Sequence, residues 1–228
     1  MPVHLVTGAT SGIGEVLARR LAERGDELVL LARNDARATA LAGQFPGSRT
    51  VVADLADPAG LGPALARTQL PDRLDSVVHS AGIVDVATVA ESDPASLAAT
   101  VTVDLVAPML LTRALLEPVR RARGTHVFVN SGSGLRANPQ WASYNAAKFG
   151  LRGFADALRQ EEAAHGVRVS TIYPGRTATP MQEQVHAQEG REYDAADWIR
   201  PETVADAILH VLDLSDDATI PDLVVRPR

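Results

Sequence analysis

Val3-His4-Leu5-Val6-Thr7-Gly8-Ala9-Thr10-Ser11-Gly12-Ile13-Gly14 is the stretch on which the reading of this chain turns. VHLVT (3–7) is apolar and β-branched through its length, as a buried strand is. Glycines follow at 8, 12 and 14, then a helical pattern from Gly12 to Arg24 that Gly25 closes. Glycines alone would mark a turn; strand, glycine turn and helix in that order are specific for a dinucleotide-binding unit. Gly8 lets the chain reverse and Gly12 lets the backbone approach a pyrophosphate. Gly14 lets helix and strand pack closely, and the helix N-terminus offers free N–H groups and positive potential.

The same alternation continues to the last residues. Strands are expected at ELVLLA (27–32), RTVVADL (49–55), LDSVVHSAG (74–82), HVFVNS (126–131), VRVSTIYPG (167–175) and DLVVRP (222–227). Helices are expected at 35–44, up to Leu70, at 104–123 with bends at Pro108 and Pro118, and at 141–165. Most strands are apolar throughout rather than alternating, which marks a parallel sheet covered on both faces. The expected fold is α/β: one Rossmann domain over 1–228, doubly wound, a parallel sheet of about seven strands.

The 228 residues carry a net charge of -6 and no cysteine. The acidic balance argues against nucleic-acid or anionic-membrane partners. Without cysteine there are no disulfides, thiolate metal sites or cysteine nucleophiles. The six histidines show no ligand spacing, so no metal is expected. No targeting segment and no apolar run near the ~20 residues of a membrane span is read, and the expected location is the cytoplasm.

The second strand ends Leu31-Ala32-Arg33-Asn34. NAD sites place an acidic residue there for the ribose 2′-hydroxyl; here Ala32 stands in its place and Arg33 can grip a 2′-phosphate, with Ser11 adding a hydroxyl. NADP(H) is therefore expected over NAD(H). Tyr144 and Lys148 stand at helical i, i+4 spacing, so phenol and ammonium share a face. An ammonium beside the phenol favours phenolate and is expected to lower the Tyr144 pKa, suiting it to proton transfer. Ser131 ends the fifth strand, at the crevice side of a parallel sheet, where it can donate to a substrate oxygen.

With these residues in place the sequence resembles the short-chain dehydrogenase/reductase family over nearly its whole length. The family's T-G-x-x-x-G-x-G is Thr7 to Gly14, with Thr10, Ser11 and Ile13 inside the turn, and its Y-x-x-x-K is Tyr144 to Lys148. The family's serine, thirteen positions before the tyrosine, is Ser131. The resemblance implies an adenine cap at Asp54 and Leu55 and a cofactor wall at Ser80, Ala81 and Gly82. The altered stretch His79-Ser80 there replaces paired asparagines. It further implies a nicotinamide hold at Pro174, Gly175, Thr177 and Thr179. The family's catalytic asparagine, at the start of the first long helix, is here Asp104; a carboxylate near Lys148 would share the ammonium's field and raise the Tyr144 pKa. A substrate pocket is expected from Arg136, Asn138, Trp141, Tyr173 and a polar mobile lid at 180–198. The implied activity is hydride transfer between nicotinamide and a carbonyl or alcohol carbon of a small substrate, in a homotetramer or dimer built on the two long helices. The competing readings are a non-catalytic NADP(H)-binding redox sensor and a sugar-nucleotide epimerase or dehydratase. The intact Tyr-Lys-Ser set opposes the first. The glycine spacing and the lack of a large substrate domain oppose the second.

Overall fold

All 228 residues are described by a computed structural model. The apolar runs become β1 (Val3–Thr7), β2 (Glu27–Ala32), β3 (Arg49–Val52), β4 (Ser76–His79), β5 (Thr125–Val129), β6 (Arg168–Pro174) and β7 (Asp222–Val225). They form a single sheet in the order β3-β2-β1-β4-β5-β6-β7, every pair parallel. The helices between them are α1 (Gly12–Glu23), α2 (Asp35–Gln44), α3 (Pro58–Arg67), α4 (Pro94–Val101), α5 (Ala107–Ala122), α6 (Ala142–Glu162), α7 (Pro180–Glu189) and α8 (Pro201–Leu212).

Strand alternation divides the core. Leu5, Val29 and Val77 face one layer, with Leu61, Leu65, Leu111, Leu115 and Val119 of α3 and α5. Val6, Leu30 and Val78 face the other, with Leu17, Leu21, Val204 and Ile208 of α1 and α8. Both faces are covered, so a strand needs no polar side, and this explains the unbroken apolar runs.

Three expectations are corrected. The strands expected at 49–55 and 74–82 stop at Val52 and His79. Pairing ends where the sheet opens into its crevice, which leaves Asp54, Leu55, Ser80, Ala81 and Gly82 as backbone beyond the strand ends. The first long helix begins at Pro94 rather than at Asp104 and runs to Ala122, interrupted by a π-helical turn over Thr102–Val106. Pro108 is the physical reason: it has no N–H for the carbonyl of residue 104, and its ring crowds that carbonyl, so the ladder widens just before it. This helix is also long and apolar enough to cross a membrane by length and composition, contrary to the expectation of no such run. Its Val103, Ala107, Leu111, Leu115 and Val119 are instead packed on the sheet.

Candidate active site

The C-terminal ends of the strands converge on one cleft of about 960 Å³, lined from the β1–α1 turn at one end to α7 at the other. Its floor is the glycine turn. Gly8 has φ +72°, and a Cβ there would stand 2.8 Å from the backbone of Ser80 and Ala81. A Cβ at Gly14 would stand 2.5 Å from the Gly8 carbonyl oxygen. The Ser11 side chain makes no bond to the first turn of α1, so the leading N–H groups have no side-chain cap, unlike those of α2, capped by Asn34, or α7, capped by Thr179. A backbone cradle that a Cβ would fill, under an uncapped helix N-terminus, fits a dinucleotide pyrophosphate.

Most residues expected at a cofactor line this cleft: Gly8, Thr10, Ser11, Gly12, Ile13, Arg33, Asp54, Leu55, Ser80, Ala81, Gly82, Ser131, Tyr144, Lys148, Pro174, Gly175, Thr177 and Thr179. Thr7, Gly14 and Asp104 do not. The buried Thr7 hydroxyl accepts the Ser80 and Ala81 N–H groups at 3.1 Å each, so it ties β1 to the β4 end. Gly14 lies against the β1 exit, and Asp104 lies beneath the cleft, buried. Arg37, which sequence reasoning missed, lines the cleft with Arg33. One turn into α2 from Arg33, it brings a second cation to the same end of the cleft.

α6 carries Tyr144 and Lys148 on its buried face, with the ammonium 5.3 Å from the phenol ring centre. The Lys148 Nζ donates to the Val129 carbonyl at 3.3 Å and stands 3.1 Å from the Asp104 carboxylate. Asp104 also accepts the Ile83 N–H at 2.8 Å. Asn130, another residue that sequence reasoning passed over, joins β5 to α6. Its amide donates to the Lys148 carbonyl at 3.0 Å, while its carbonyl oxygen accepts the Ser131 N–H at 2.8 Å. A polar residue next to the expected serine was the available signal. The Ser131 hydroxyl oxygen accepts the Ser133 N–H at 3.1 Å.

These contacts reverse one expectation. Burial pushes the Tyr144 phenol above its ordinary value; Lys148 and Ser131 act to lower it, and Asp104 acts to raise it. Burial works against the charge on Lys148, but Asp104 and Tyr144 outweigh it and hold the ammonium above the ordinary lysine value. Burial likewise raises the Asp104 carboxyl, with Lys148 and the Ile83 N–H opposing. The expected lowering of Tyr144 by Lys148 is outweighed because the chain buries the pair and sets a carboxylate against the ammonium.

The far end of the cleft is only partly as expected. Asn138 and Trp141 line it, but Arg136 and Tyr173 do not. Tyr173 is a buried β6 residue whose side chain points along the sheet to Asp222, its hydroxyl donating at 3.2 Å. His79 is buried in the core, its ring stacked 4.7 Å from that of Phe128, so only Ser80 of that altered pair reaches the cleft. The lid segment is not a bare loop. Thr179 caps α7, and the returning chain is pinned to the outgoing one: the Ala178 N–H reaches the Ile199 carbonyl at 2.8 Å, and the Ile199 N–H reaches Arg176 at 3.2 Å. Gln182, Val185 and His186 are buried beneath it.

Residues 2–190 match the protein-family model described as short chain dehydrogenase. A relative 31% identical, an uncharacterized short-chain type dehydrogenase/reductase, y4eK, of Sinorhizobium fredii, aligns over 99% of this chain and 91% of its own length. A metagenomic short-chain oxidoreductase solved in complex with NADP superposes with a TM-score of 0.80 at 28% identity, covering 100% of this chain and 97% of that one. A 4-hydroxyisoleucine dehydrogenase complexed with NADH, at 22% identity, shares the fold with a TM-score of 0.86 over 100% of this chain and 98% of its own.

Proposed function

The chain belongs to the short-chain dehydrogenase/reductase family of NAD(P)-dependent oxidoreductases, and from that premise we propose that it interconverts a carbonyl and an alcohol on a small substrate, using NADP(H). The observation that carries the reading is the convergence of Tyr144, Lys148 and Ser131 on the cleft whose other end is the glycine cradle. When bound, NADP(H) supplies or accepts the hydride. The residues do the rest. The Tyr144 hydroxyl gives its proton to the substrate oxygen in reduction and takes it back in oxidation. Ser131 donates a hydrogen bond to the same oxygen as charge develops on it. Lys148 steadies the phenolate and is itself placed by Asp104 and the Val129 carbonyl.

NADP(H) is preferred over NAD(H) in this reading because Ala32 leaves no carboxylate at the ribose position and two arginines, Arg33 and Arg37, face that end of the cleft. A homo-oligomer is part of it as well. Leu97 of α4, Met109 and Leu110 of α5 and Phe149 of α6 are all more than a third exposed, which is costly for large apolar side chains on the two long helices unless a second copy covers them.

The test is oxidation of NADPH, and separately of NADH, by a panel of aldehydes, ketones and quinones. NADPH turnover that Tyr144→Phe lowers by about a hundredfold or more, with cofactor binding retained, supports the assignment. Tight NADPH binding with no turnover across the panel would favour the non-catalytic reading.

A further inference from the structure

The substrate end of the cleft carries an ion pair that the chemistry just assigned does not use. Arg176 follows Pro174-Gly175 at the exit of β6, and Glu189 is the last residue of α7. Their contact is a two-pronged fork, with Nη2 2.6 Å from Oε1 and Nη1 2.9 Å from Oε2. Both residues line the cleft. The guanidinium lies over two indoles, 5.9 Å from the Trp141 ring centre and 5.5 Å from that of Trp198. A planar guanidinium stacked on aromatic rings and presenting two parallel N–H groups is a carboxylate receptor. Here the receptor is already filled by the chain's own carboxylate. Gln188 fastens the same end of α7 to the opposite wall: its amide donates to Asp85 at 2.9 Å and its carbonyl oxygen accepts the Val86 N–H at 3.2 Å.

We infer that Glu189 sets the charge of the substrate by occupying Arg176, so that the site takes uncharged carbonyl compounds and turns away those bearing a carboxylate. The inference rests on the dehydrogenase reading above. The other cations at this end are also accounted for. Lys148 is paired with Asp104, and Arg191, 68% exposed, lies 3.7 Å from Glu189 Oε2, the oxygen that Arg176 Nη1 also engages. What remains on the walls carries no charge: apolar Val84, Trp141, Met181 and Val185 stand beside the neutral polar side chains of Ser131, Asn138, Gln140, Tyr144 and Gln182. An anionic substrate would have to displace a bidentate partner that is intramolecular and 11% exposed. A neutral one displaces nothing.

Benzoate and benzamide, nearly equal in shape and different in charge, test this on the full chain saturated with NADPH. Trp141 and Trp198 are the chain's two tryptophans, and both flank Arg176, so their fluorescence reports binding without turnover. The wild type is expected to bind benzamide more tightly than benzoate. Glu189→Gln is expected to reverse that order, with benzoate affinity rising about tenfold or more, and adding Arg176→Met is expected to abolish the gain. An unchanged order in Glu189→Gln, including no benzoate binding at all, overturns the inference. Should that variant fail to fold, tighter benzoate than benzamide binding by the wild type overturns it equally. Failure of the dehydrogenase reading would look different: no turnover of any carbonyl, with the order of affinities still reversing.

Discussion

Asp104 is the residue at which this chain departs furthest from the pattern it otherwise follows. Its carboxylate stands 3.1 Å from the Lys148 ammonium with both side chains buried, so the lysine's field on Tyr144 is partly cancelled at its source. Asp104 acts to raise the Tyr144 pKa, and an amide in its place would carry no charge. Asp104→Asn is therefore expected to lower the apparent pKa of Tyr144. In alcohol oxidation, which needs the phenolate, the rising limb of the pH–rate profile moves to lower pH. In carbonyl reduction, which needs the phenol, the falling limb moves the same way. Coincident profiles for variant and wild type would show that the carboxylate has no say in the proton transfer. The Asp104→Ala change differs in kind, because it leaves the buried ammonium with the Val129 carbonyl but no counter-charge and no polar side chain in its place, and breaking a buried pair costs about 3–5 kcal/mol.

Among the elements, the β1–α1 turn shows how closely backbone paths are drawn together. Gly14 lets the first turn of α1 sit on the carbonyl of Gly8, and a methyl group would have to occupy space 2.5 Å from that oxygen. Gly14→Ala should cost about 1–3 kcal/mol through displaced backbone rather than lost contacts. It should also weaken NADPH binding, since the uncapped N–H groups move with the helix. A lowered urea midpoint together with a raised NADPH Kd would bear this out; an unchanged midpoint would mean that the helix swings away freely. Local patterning made this turn readable, because strand, glycines and helix follow one another within a few residues, although Gly8 and Gly12 make room for Ser80 and Thr179 far along the chain. It could not reveal α7. Polar Gln182, Glu183, Gln184 and Gln188 suggest a loose lid, and only packing shows Gln182 and His186 buried beneath it.

Across the whole molecule, the sheet buries a line of rings where α5 and α6 cover it. His79, His126 and Phe128 are stacked, with ring centres 4.7 to 6.3 Å apart. His79 keeps one partner, the Thr112 hydroxyl at 3.1 Å, while neither ring nitrogen of His126 has one. Burial holds the His126 pKa down at about 4 and that of His79 well below its ordinary value. Unfolded, both would titrate near ~6.5. Between those limits the unfolded chain binds more protons, so these residues' stabilising contribution is complete above about pH 6.5 and is lost as pH falls toward 4. Each depressed histidine contributes a slope of about 1.4 kcal/mol per pH unit in that window. His126→Phe continues the stack and removes two unpartnered polar atoms. It should raise stability at pH 7 by about 1–3 kcal/mol and flatten the acid limb. Urea melts at pH 5 and 7 decide it, and an unstable variant would mean that the imidazole nitrogens have partners in solution.

The order of strands and helices, the glycine cradle, and the placing of Tyr144, Lys148 and Ser131 at one end of the sheet were legible from the chain alone. Each depends on periodicity and spacing within a few turns, and the parallel sheet then brings every strand end to the same edge. Tertiary structure alone decided what the charges do. Asp104 and Lys148 are 44 residues apart and Arg176 and Glu189 are 13 apart, and neither spacing implies a contact. Whether a cation in the cleft is free to meet a ligand or already paired, and whether burial or a neighbour governs Tyr144, depends on distances of a few ångströms in a poorly screened interior. Folding sets those distances, and no local pattern encodes them.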